Sequence, residues 1–79
     1  MNLIVGKHNG TNQVFYWENR DYLEYKIGDY AIVENKSDYD MVKIVGDFIT
    51  NEKYQYHITK TKELKKIIKI IPRNEIRKD

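Results

Sequence analysis

Seventy-nine residues with no cysteine and a formal charge of +2 allow one small hydrophobic core and exclude disulfides and thiolate metal sites. The N-terminal apolar run, Leu3 to Val5, is too short for a secretory leader, and no stretch approaches the roughly 20 apolar residues of a membrane span, so the expectation is a cytoplasmic chain without a membrane partner. The charge is polarised: residues 1–52 hold five cations against nine acids, whereas residues 53–79 hold nine cations against three acids, which points to an interacting basic end.

Taken in chain order, Leu3-Ile4-Val5 opens a β-prone run that stops at His8-Asn9-Gly10-Thr11-Asn12, and Val14-Phe15-Tyr16-Trp17 resumes it; Asn-Gly between two such runs predicts a hairpin. Glu18 to Lys26 mixes charge with Tyr22, Leu23 and Tyr25 without a clean period and reads as a loop that packs its rings onto the sheet. Lys26-Ile27-Gly28-Asp29 is a turn signature, Tyr30 to Glu34 a strand with Ala31 and Val33 on one face, and Asn35 to Asp40 a further turn. Met41 to Thr50 is a longer strand with Gly46 at a bulge or bend. Together these predict a meander of about four strands.

After Thr50 two templates compete. Tyr54, Tyr56 and Ile58 alternate as in a strand, while Leu64, Ile67, Ile68 and Ile71 repeat as on one face of a helix. High β-propensity and the stop at Pro72 favour a closing strand over about 66–71, preceded by a turn or a short helix. Residues 73–79 form a charged tail expected to fray. The expected fold is all-β: one domain, a small five-stranded antiparallel barrel over residues 1–79.

Tyr25-Lys26-Ile27-Gly28-Asp29-Tyr30-Ala31-Ile32-Val33, followed by Met41-Val42-Lys43-Ile44-Val45, resembles the Lys-x-Gly-Asp-x-Val-x-Val opening of many SH3-like small barrels. The order of elements is also similar to that of short uncharacterised proteins of Gram-positive bacteria and their phages. That resemblance implies an SH3-like fold and a bacterial or phage setting, with host cytoplasm as the location if phage-encoded. It carries over no catalytic residues. The abundance of Lys, Ile, Asn and Tyr fits the AT-rich codons of such genomes.

His8 and His57 stand far apart, without a second histidine or a cysteine nearby, so neither a catalytic triad nor a zinc site is expected, and no cofactor is implied. Seven Tyr, two Phe and one Trp exceed what a small core absorbs. Because Phe15 and Trp17 alternate with Val14 and Tyr16, one pair must face away from a two-sided strand's core. Exposed rings beside cations are what single-stranded nucleic-acid binders use, and aromatic clusters also mark protein interfaces. The binding candidates are Tyr16, Trp17, Tyr54, Tyr56, Lys60, Lys62, Lys65, Lys66 and Lys69. Three functions follow: a non-enzymatic module that binds an unidentified protein and modulates a host complex, a nucleic-acid-binding barrel using the basic third, and a homo-oligomer paired through an edge strand at Leu3 to Val5 or Ile67 to Ile71. A net charge of only +2 favours the first over the second.

Overall fold

The computed structural model describes residues 1–36, 38–61 and 63–75. Five strands, β1 (Asn2–His8), β2 (Val14–Glu18), β3 (Tyr30–Glu34), β4 (Tyr39–Ile49) and β5 (Ile67–Ile71), form one antiparallel sheet in the order β2-β1-β4-β3-β5. A short helix, α1 (Glu52–Thr59), precedes the last strand, and a 3-10 turn over Arg73–Glu75 follows it. The all-β class, the five strands and the short helix before the closing strand are as the sequence predicts. The simple meander is not: β1 lies between β2 and β4, so β2 and β3 are not neighbours. Leu3 to Val5 is therefore interior to the sheet, paired on both sides, and the sheet edges are β2 and β5.

The hairpin turns where Gly10 takes φ +81° and Thr11 donates its N–H to the His8 carbonyl. Within it Gly6 stands opposite Phe15 and Ile44, and a Cβ there would sit 2.8 Å from Trp17 Cζ3, so the ring packs directly over the β1 backbone. At the far end the two sheet edges meet: the Glu18 N–H donates to the Lys65 carbonyl at 3.0 Å, and Glu18 bridges Lys66 in parallel. That contact curls the sheet into a barrel-like closure, which reduces the exposed strand edge.

Inside lie Ile4, Trp17, Ala31, Val33, Val42, Ile44 and Ile67, with Leu23, Tyr25 and Ile70 packed against them. Each large side chain so buried contributes about 1.5–3 kcal/mol of transfer free energy. Two bulges decide which residues belong to this set. At β5 the register skips Ile68 between Ile32 and Val33, so Ile67 and Ile70 both face inward. The three-residue spacing that imitates a helix face is thus the trace of a bulge in a strand. On β4 the skip falls at Val45, just before Gly46.

Residues 52–59 are helical and not extended. Asn51 caps the helix by accepting the Tyr54 N–H at 3.1 Å, Glu52 sits in the first turn, and Lys60 closes it in the left-handed region at φ 61°. Tyr54, Tyr56 and Ile58, the alternating residues, are all exposed, whereas Gln55 is buried. Its amide is satisfied by Thr59 Oγ1 and by the Thr61 carbonyl at 2.7 Å. Among the described residues no helix is long and apolar enough to cross a membrane. Residues 76–79 of the expected frayed tail lie outside the described residues; Arg73 is tied down, its N–H donating to Asp29 Oδ1 at 3.1 Å.

Candidate functional site

Of the nine residues expected to bind, the eight that are described do not converge. Trp17 is a correction: at 7% exposure it is a core ring, held on the inner face because it stands opposite Ile4, with His8 and Phe15 beside it. Tyr16 faces the other way, half-buried opposite Val5 with its ring 6.1 Å from Phe48. Tyr54 and Tyr56 are exposed on α1, but two positions along a helix separate them by about 200°. Lys60 is the left-handed cap of α1, Lys65 and Lys66 lead into β5, and Lys69 lies within it opposite Ile32. Lys62 lies outside the described residues.

Where a candidate ring and lysines do meet, the electrostatics are mixed. Tyr56, Lys65 and Lys66 line a cleft of about 840 Å³ between α1 and the end of β2. The same walls carry Glu18, Glu34, Glu52 and Glu63 beside Arg20. Arg20 is already paired with Glu18 at 3.3 Å and Lys66 with Asp21 at 3.4 Å. A phosphate backbone needs several uncompensated cations along one track, and this cleft supplies carboxylates instead.

A different surface stands out, on the loop between β2 and β3. Tyr22 has φ 52°, a left-handed conformation that costs a residue with a large side chain roughly 1 kcal/mol or more, and its ring is 75% exposed. The conformation is imposed from beneath. Buried Asn19 donates to Asn2 Oδ1 and to the Leu23 carbonyl, accepts the Leu23 N–H on its own Oδ1, all at 2.9 Å, and offers its carbonyl to the Tyr22 N–H at 3.2 Å. Tyr22 shares a shallow depression with Tyr25, Phe48 and Ile49, and Ile49, at the end of β4, is 77% exposed. The depression has a polar floor: the Tyr25 hydroxyl donates to Asp47 and accepts the Asn2 side-chain amide at 3.3 Å. Burial foremost, and then the bond to the Asp47 carboxylate, raise the Tyr25 phenol above its ordinary pKa, so it stays a neutral donor.

The loop therefore splits the expected role of its rings, with Tyr25 packed against the core beside Leu23 and Tyr22 turned to the surface. Neither Tyr22 nor Ile49 is among the sequence candidates. Tyr22 carries no sequence signal for a left-handed backbone, which glycine or asparagine would have given. Ile49 reads as one more strand residue. At the other end of the loop Gly28 takes φ 100° and Asp29 binds backbone N–H groups as a Gly-Asp corner should. Its carboxylate accepts from Lys26 at 2.8 Å and from Arg73, and these bonds, in that order, lower its pKa. His8 Nδ1 lies 2.9 Å from Asp40, with the imidazole against Phe15 and Trp17. No group of three or more metal-ligating side chains occurs among the described residues.

No family model matches the chain, and neither a curated protein nor a solved structure matches it significantly.

Proposed function

We propose that the chain is a non-enzymatic protein-binding module whose contact surface centres on Tyr22 and Ile49. The observation that carries this reading is the strained, left-handed Tyr22, held with its ring in solvent beside an isoleucine equally exposed. A fold retains strain of this kind where display of the side chain matters, and tyrosine is enriched among the residues that dominate protein interfaces. The buried Asn2–Asn19 bond and the Tyr25–Asp47 bond hold the surface rigid, which lowers the ordering cost of association.

The test is affinity capture from a lysate of a low-GC Gram-positive bacterium, comparing the natural chain with Tyr22→Asn/Ile49→Ser. Both replaced side chains are solvent-exposed, and asparagine tolerates the left-handed backbone, so the variant keeps the fold. A protein retained by the natural chain and lost with the variant supports the reading. Identical retention by both, or retention of nothing, overturns it.

A further inference from the structure

A second surface lies on the outer side of β4-β3-β5. Because Ala31, Val33, Val42 and Ile44 point into the core, Tyr30 and Ile32 of β3 and Met41 and Lys43 of β4 point out. Directly opposed residues share a face, so the pairs Ile32↔Met41, Ile32↔Lys69, Tyr30↔Lys43 and Tyr30↔Ile71 set two rows across the three strands. One row reads Met41, Ile32, Lys69 and the next Lys43, Tyr30, Ile71. The centre of these two rows is apolar, with Lys43 and Lys69 at diagonally opposite corners. Lys7 of β1 stands opposite Lys43 beyond one end and Glu34, paired with Tyr39, follows Ile32 at the other, so this part of the face carries three cations against one carboxylate.

Neither Lys43 nor Lys69 has an ion-pair partner among the described residues; the pairs there are His8–Asp40, Arg20–Glu18 and Lys66–Asp21. We infer that this face docks an apolar segment bearing carboxylates on a partner protein, its apolar side chains over Ile32, Met41 and Ile71 and its acids at Lys43 and Lys69. The inference rests on the reading of the chain as a protein-binding module and assigns it a site apart from Tyr22 and Ile49. Unpaired cations on the rim of an apolar patch steer and select an acidic partner. A single-stranded nucleic acid fits the face less well, because stacking needs several open rings, and Tyr30 supplies one that is half-buried.

The experiment uses a fluorescein-labelled peptide alternating Leu and Asp, its Leu–Lys counterpart and a labelled oligo-dT as probes, read by anisotropy and by amide chemical-shift mapping of the whole chain. The Leu–Asp peptide is expected to bind saturably, with shifts confined to β3, β4 and β5. Lys43→Glu/Lys69→Glu is expected to weaken it roughly tenfold, the effect of turning two exposed attractions into repulsions. Lys43→Gln/Lys69→Gln, which keeps length and polarity, gives a smaller loss in the same direction. Tyr22→Asn/Ile49→Ser leaves this binding intact, so failure here is distinct from failure of the Tyr22 surface. Absence of Leu–Asp binding, equal binding of the Leu–Lys peptide, insensitivity to the charge reversal, or preferential binding of oligo-dT overturns the inference.

Discussion

At the scale of single residues, two side chains have roles that their type alone does not announce. Tyr22 sits at φ 52°, where glycine is at ease and tyrosine is not. Tyr22→Gly should therefore leave the urea midpoint unchanged or raise stability by up to about 1 kcal/mol, since the relieved strain offsets the added freedom of the unfolded chain. The same substitution removes the exposed ring, so capture of a partner should fall while stability does not. That combination, read by urea titration beside the capture assay, distinguishes a displayed residue from a structural one.

Asp29 carries the opposite lesson. Its carboxylate accepts backbone N–H groups from Lys26 and Arg73, joining the Gly28 corner to the segment after β5, and its folded-state pKa is lowered. A lowered pKa stabilises the fold above the ordinary carboxylate range, and that contribution is lost as pH falls through the folded value. Asp29→Asn should thus reduce stability at neutral pH and flatten the acid limb of the stability profile, measured by urea midpoints between about pH 3 and 7. A parallel profile in the variant would mean that other carboxylates govern acid unfolding. Tyr25 contributes at the other extreme: its pKa is raised, so the bond it donates to Asp47 persists through neutral pH and fails only as alkali deprotonates the phenol, whereas the bond it accepts from Asn2 does not depend on that proton.

At the scale of elements, α1 is the part where pattern and structure disagree most. An alternation of Tyr54, Tyr56 and Ile58 reads as a strand because the count of apolar positions ignores the cap. Asn51, three residues before Tyr54, satisfies the first turn and tips a short segment into a helix that then exposes those rings and buries Gln55. The helix ends on Lys60 in the left-handed region, so Lys60→Gly should stabilise the protein by about 0.5–1 kcal/mol, visible as a higher urea midpoint. Loss of stability instead would assign Lys60 a contact beyond the cap. The hairpin, β3, most of β4 and β5 are legible in the sequence because alternation and turn residues agree there. β4 begins at Tyr39 and not Met41, as Tyr39 and Asp40 still pair with Glu34 and Val33. The spacing of Ile67 and Ile70 misleads until the bulge at Ile68 is known, since a one-residue slip exchanges the two faces.

At the scale of the whole molecule, the charge split along the chain does not become a basic track in the cleft where the described Lys65 and Lys66 meet α1. The closure of β2 against the start of β5 brings Lys65 and Lys66 beside Glu18 and Arg20, and α1 adds Glu52 to the same cleft. Cations of the second half thus face carboxylates of the first. Single-stranded DNA, duplex DNA and RNA should accordingly give no anisotropy change with the natural chain at low salt and micromolar protein. Tight, steeply salt-dependent binding abolished by neutralising Lys62, Lys65, Lys66 and Lys69 together would reverse this and restore the nucleic-acid reading.

Fold class, the hairpin, the Gly28-Asp29 corner and the final strand can all be read without coordinates, because each rests on propensity, period or turn chemistry acting within a few residues. Folding in three dimensions was needed to place β1 in the sheet interior, Trp17 in the core and Tyr22 and Ile49 on the surface, and to bring lysines expected to form a track up against acids. Strand order and side-chain exposure depend on contacts between residues far apart in the chain, and local pattern does not encode those contacts.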